Sequence, residues 1–219
     1  PPAAYSDVLR IWARVQGILA RDPKSKEELS SSVVSPTLLR RVWTWTVEVE
    51  KNAWVPVDPD HEASDFTVIS DASKEGWCVM FISNKSGEWT VYHGRWPPGF
   101  DDVVGKSAYA EPLGLLAGCR AFFTSPHVTA TLDYFSDNTG NVRATQRGYS
   151  MRPDHLVMEH LHYEFPKVRI RRSAHCPGYF IPADEPSRNR PVDFGKVDEF
   201  CTRFGVKRPS EIGCTEIRP

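Results

Sequence analysis

Phe66-Thr67-Val68-Ile69-Ser70-Asp71-Ala72-Ser73 opens the part of the chain that decides its fold. Its β-branched and aromatic start reads as a strand that stops at Asp71, and the strands that follow fix how the chain continues. Trp77 to Ile82 and Trp89 to Arg95 flank Asn84-Lys85-Ser86-Gly87, a turn signal joining two antiparallel strands. The Ala- and Leu-rich run from Ser107 to Phe123 then predicts a helix with Ser107 as its cap. Thr129 to Phe135 predicts a fourth strand, ending at Asp137. Helices over 139–147 and 153–165 follow, and Val168 to Ser173 is the fifth strand. A loop through His175-Cys176-Pro177-Gly178 leads to a short helix at Ala183, a helix over 194–204, and a tail broken by Pro and Gly. Three antiparallel strands followed by helix, strand, helices and strand predict an α/β fold, a mixed five-stranded sheet with helices on both faces. Ligand sites of such sheets lie off the strand ends, where Asp71 and Asp137 fall.

The first 62 residues read differently. Val8, Ile11, Trp12, Val15, Ile18 and Leu19 recur at helical spacing, and Ser35-Pro36 starts a second helical run carrying Leu38, Leu39, Val42, Trp43 and Trp45. Val55 to Glu62 is a linker by its prolines and charges. The expected organisation is a helical appendage and linker over 1–62, a main domain over 63–190, and a C-terminal helix and tail over 191–219.

Composition excludes several classes. The 219 residues include 40% hydrophobic and 25% charged residues, ordinary for a globular chain. No apolar run approaches the roughly 18 residues of a membrane span, and the opening Pro1-Pro2-Ala3-Ala4-Tyr5 lacks the regions of a signal peptide. Five widely spaced cysteines without a Cys-x-x-Cys pair point to reduced thiols in an intracellular setting, cytoplasmic or nuclear, and against a zinc site. A net charge of −1 means that nucleic-acid binding would need local basic surface. Arg143, Arg147 and Arg152 near one helix, and Lys167, Arg169, Arg171 and Arg172 along one strand, offer it. For each of these a solvated face is an equally good reading.

Four carboxylates stand in distinct contexts: Asp71 in Ser70-Asp71-Ala72-Ser73, Glu111 in Ala110-Glu111, Asp137 in Ser136-Asp137-Asn138, and Asp184 in Ala183-Asp184-Glu185. Converging carboxylates can hold divalent cations, because hard Mg²⁺ takes oxygen ligands. Each also has a bland reading. Asp71 can be a turn former, Asp137 with Asn138 a helix cap, and Asp184 a partner for Arg188 one helical turn on. Glu111 can be an exposed helical residue, yet Ala108, Ala110, Leu113, Leu115 and Leu116 surround it with apolar positions, and a charge there needs a partner.

In this order the motifs resemble the ribonuclease H family, more narrowly the ribonuclease H domain of retroelement reverse transcriptases. The resemblance covers roughly residues 64–190. It rests on Asp71-Ala72-Ser73 with Gly76-Trp77, Ala110-Glu111, Ser136-Asp137-Asn138, and His175-Cys176-Pro177-Gly178 leading to Ala183-Asp184 and Ser187-Arg188. The Asp-Ala-Ser and Ser-Asp-Asn forms are most similar to tyrosine-recombinase (DIRS-like) and LTR-type elements. The resemblance implies a metal-dependent endonuclease that cuts the RNA strand of RNA–DNA hybrids, with two Mg²⁺ or Mn²⁺ held by Asp71, Glu111, Asp137 and Asp184. It implies no small-molecule cofactor and no membrane. His175 falls where the family carries a mobile histidine that shuttles protons or speeds product release. This chain has Ile181 where the retroelement form has Asn, and its loop is one residue shorter. The resemblance further directs Ser73, Asn138 and Arg188 to the substrate, likens residues 1–62 to a connection segment, and implies a polymerase domain on the parent chain. The interval from Asp137 to Asp184 leaves no room for the extra basic helix found in some relatives.

Two other readings remain open: a non-catalytic domain of the same fold that binds nucleic acid or protein, and a DNA-cutting transposase or integrase core. His155, His160 and His162 share no helix face well and read as structural, and Trp77, Trp89 and Trp96 read as core.

Overall fold

The computed structural model describes residues 63–100, 107–147, 161 and 163–217. The helices expected over 4–20 and 36–45, the linker before 63, most of the helix over 153–165, and Arg152, His155, His160 and His162 lie outside the described residues. So does the Arg147 side chain.

Phe66–Ala72 (β1), Gly76–Ser83 (β2) and Trp89–Arg95 (β3) form the antiparallel start, as their alternating and apolar runs predict. Ser107–Phe122 is α1, Ala130–Ser136 is β4, Thr139–Arg147 is α2 and Val168–His175 is β5. A 3₁₀ turn over Gly178–Phe180 precedes the four-residue α3, Asp184–Ser187, and then α4, Phe194–Phe204. β4 runs parallel to β1, and β5 parallel to β4. The order β5-β4-β1-β2-β3, with β2 alone reversed, is the ribonuclease H-like sheet expected from the sequence.

One strand was not expected. Ile212–Ile217 (β6) adds to the far edge, parallel to β3, so that the sheet has six strands. The tail carries no apolar alternation because only one side of β6 is paired and Gly213 to Glu216 are exposed. Backbone hydrogen bonding to β3, and not side-chain burial, makes it a strand.

Both faces of the sheet are covered, which explains the unbroken apolar runs of β1 and β2. Val68, Trp77, Val79 and Phe81 face one core with Leu115, Leu116, Cys119, Phe123, Leu132 and Tyr134. Ile69, Cys78, Met80 and Ile82 face a second core with Phe180, Ile181, Val197 and Phe200. Burying side chains of this size stabilises the fold by about 1.5–3 kcal/mol each. α1 can lie this close to β2 because of its glycines: a Cβ at Gly118 would stand 2.5 Å from Val79. The helix over 194–204 closes the second core, so residues beyond 190 pack with the main sheet. Trp77 and Trp89 are buried as expected. Trp96 is half-buried, its Nε1 donating to the Ser73 carbonyl at 2.9 Å.

Candidate metal centre

β1 and β4 are parallel with Ile69 opposite Phe135, and two residues further along that register Asp71 comes level with Asp137. Glu111 is in the second turn of α1, on the face toward the sheet, and is 3% exposed. Asp71, Glu111 and Asp137 thereby converge: one carboxylate oxygen from each lies within 4.8 Å of the others. None of the three is ion-paired among the described residues.

Neutral donors fix the group. The Ser187 hydroxyl donates to Asp71 Oδ2 at 2.7 Å. The Ser136 hydroxyl donates to Glu111 Oε2, and Asn141 Nδ2 donates to the same oxygen at 3.2 Å. Gly178 lies against Asp137, for a Cβ there would stand 3.0 Å from Asp137 Oδ2. The Pro-Gly of the loop is what lets the chain pass so near the carboxylate.

The electrostatics follow from this crowding. Burial, helped by the charges of Asp137 and Asp184 and opposed by the Ser187 hydrogen bond, raises the Asp71 carboxyl to about 6. Burial is also the main cause at Glu111, which with the charges of Asp137 and Asp71 is pushed up to about 8. Asp137 is raised as well, chiefly by burial, and its hydrogen bond from Glu111 pulls the other way. Crowding thus favours a proton held between Glu111 and Asp137, which titrate as a pair. Buried carboxylates held as neighbours are unfavourable unless protons or cations separate them. Three converging hard oxygen donors, two of them held by neutral hydrogen bonds, fit a divalent cation.

Asp184 is placed differently. Oδ1 accepts from Arg188 Nε at 3.0 Å and Nη2 at 2.8 Å, and Oδ2 accepts from Lys196 Nζ at 2.7 Å. Burial works against its charge, but the hydrogen bonds from Lys196 and Arg188 outweigh it and hold the carboxyl below its ordinary value. Its alternative reading as an Arg188 partner is what the geometry displays. Asp184 remains near enough for its charge to act on Asp71 and Asp137.

The remaining expected residues surround this group. His175 ends β5 opposite Ser136, and its charge acts on Asp137. Asn138 Oδ1 accepts from the amides of Gly140 at 2.9 Å and Asn141 at 3.2 Å, which makes it the cap of α2. Ser73 does not offer its hydroxyl outward: it donates to the Ser187 carbonyl at 2.8 Å and accepts from the Glu75 and Gly76 amides. The turn after Asp71 needs those contacts, so the hydroxyl is committed to the protein. Ser136, Asn141, Ser187 and Lys196 were not singled out from the sequence. Ser136 and Ser187 stand inside quoted motifs, and only Ser136, next to Asp137, has an adjacent acidic residue as a signal. Lys196 gave none, since its contact spans twelve residues and two elements.

Four of the five cysteines are buried and all are free thiols. No helix among the described residues is long and apolar enough to cross a membrane. No family model and no curated protein matches the chain. Among solved structures it is similar to LC11-RNase H1, crystallised in complex with an RNA/DNA hybrid, at 16% identity and a TM-score of 0.40, over 59% of this chain and 98% of that one. The fold assignment rests on the strand order and register, not on that likeness.

Proposed function

We propose that the chain is a divalent-cation-dependent endonuclease that cuts the RNA strand of RNA–DNA hybrids, as the ribonuclease H part of a retroelement reverse transcriptase. The observation that carries this reading is the convergence of Asp71 and Asp137, at two strand ends, with Glu111 of α1. Asp71 and Glu111 are buried and Asp137 is half-buried, and none has an ion pair among the described residues. These three would hold Mg²⁺ or Mn²⁺, with Asp184 as the further ligand of a two-ion site. Such ions supply charge stabilisation at phosphate and an activated water. Ser136 and Asn141 orient Glu111, and Ser187 orients Asp71. His175, beside Asp137, carries protons away from the site or speeds product release. Arg188 and the Asn138 Nδ2 amide meet the substrate backbone, and Ser73 serves by shaping the turn that follows Asp71. A hybrid would be chosen by shape and 2′-hydroxyls, not by sequence.

The test is incubation of labelled RNA–DNA hybrid with Mg²⁺ beside duplex DNA, duplex RNA and an EDTA control. Cleavage of the hybrid RNA alone, abolished by EDTA, is the expected result. Binding of the hybrid without cleavage would leave a non-catalytic domain in its place, and equal cutting of duplex DNA an integrase-type core.

A further inference from the structure

Lys196 is placed where its own helix gives no reason for a lysine. It lies in the first turn of α4, whose N-terminus is capped by the Asp193 carboxylate accepting from the Gly195 and Lys196 amides. The partial positive charge of a helix N-terminus disfavours a cation there. The side chain is only 16% exposed, and it turns away from α4 toward α3. Nζ meets Asp184 Oδ2 at 2.7 Å and Glu185 Oε1 at 3.2 Å. With Arg188 on Oδ1, both oxygens of Asp184 already accept from cations.

We propose that Lys196 is a tethered cation that competes with the second divalent ion for Asp184 Oδ2, and so makes the two ion sites unequal. The inference rests on the proposed nuclease reading, because it takes Asp184 as a ligand of that site. Asp71, Glu111 and Asp137 have no such built-in cation among the described residues, so the first ion displaces no ammonium or guanidinium. Asp184 enters the site only when its Oδ2 leaves the ammonium. Lys196 then keeps Glu185 as a partner, which lowers the cost of release and makes the exchange reversible. Lys196 is thus a positioning residue: it acts through Asp184 and sets how much free cation the complete site demands.

The measurement is Mn²⁺ binding to the substrate-free chain, followed by electron paramagnetic resonance, for wild type, Lys196→Met and Lys196→Arg. Wild type should take up one ion tightly and a second weakly. Removal of a partly buried charge partner should tighten the second ion by about tenfold in Lys196→Met, with the first unchanged. Lys196→Arg, which keeps the charge, should stay near wild type. Lys196→Gln gives the same neutral test if the Met variant does not fold, and thermal melting of each variant separates folding from binding. Two binding steps that are identical in wild type and both neutral variants would overturn the inference and leave the nuclease reading standing. No Mn²⁺ uptake at Asp71, Glu111 and Asp137, shown by equal titrations of wild type and Asp71→Asn, would overturn both.

Discussion

Asp71, Glu111 and Asp137 come from the middle of the fold and meet one another before they meet any cation, whereas Asp184, on a four-residue helix, has a cation on each oxygen. The chemical group is the same in both places, and the surroundings reverse its behaviour. Burial and mutual charge raise the three. Lysine and arginine lower the fourth. Two strands and the helix packed on them fix the three, so their repulsion cannot be relieved by movement. That is how a folded interior stores affinity for a divalent ion. Asp184 is held by ion pairs that can exchange, and it is suited to completing a site, not to founding one.

Cleavage by substituted proteins separates the two kinds most strongly. Asp71→Asn and Asp137→Asn should each lower hybrid cleavage by more than about 10³-fold, beyond the loss from a single stabilising group. Asp184→Asn should lose less, about 10²-fold, in line with a partner that supports the site from outside the three. Single-turnover rates at saturating Mg²⁺ check the order. Equal losses at all three positions would erase the distinction between founder and completing ligand.

His175→Ala should cost less again, about tenfold, below the range of a fully engaged acid–base group. A rate profile between about pH 6 and 9 decides it. A variant whose rate and profile match wild type would leave His175 as a strand-end residue with no part in proton movement.

A smaller effect concerns stability. Asp71 and Glu111 rise from ordinary values of 3.8 and 4.5 to about 6 and about 8 in the folded chain. Across that window the folded state binds more protons than the unfolded one, so stability falls as pH rises. It is greatest near the lower values, and it levels off once both groups are ionised in the fold. Each tenfold difference in proton affinity is worth about 1.4 kcal/mol, so the metal-free melting temperature should drop by several degrees from about pH 5 to about pH 8.5. Glu111→Gln should flatten that slope, as calorimetric melts in EDTA would reveal. A wild-type slope of the opposite sign would mean that the three carboxylates are not crowded.

The residues of the sequence conveyed the sheet and its acidic centre unequally. Val68 to Asp71 and Thr131 to Asp137 were legible because strands buried on both faces, or alternately, imprint a pattern on the chain. The position of Glu111 followed from the apolar neighbours that bury it. β6 was not legible, because Gly213, Cys214, Thr215 and Glu216 join the sheet through backbone bonds to β3 and leave no periodic trace. The contrast between Asp184 and the other carboxylates was half legible. Arg188 is one helical turn away, a spacing that local reasoning reaches. Lys196 arrives through the fold of α4 over α3, and only the tertiary structure brings it there. For Asn138 the sequence leaves a cap and a substrate contact equally open, and the hydrogen bonds from Gly140 and Asn141 display the cap.

The central claim is that Asp71, Glu111 and Asp137 form a divalent-cation site whose crowding the cation relieves. Calorimetric titration of the substrate-free chain with Mg²⁺ at about pH 7, in two buffers of different ionisation heat, tests it most directly. Deprotonation of the crowded carboxylates predicts that binding releases protons, that affinity rises with pH through the raised values, and that Asp137→Asn loses the binding. Mg²⁺ binding that releases no proton, or that survives in Asp137→Asn unchanged, would contradict it.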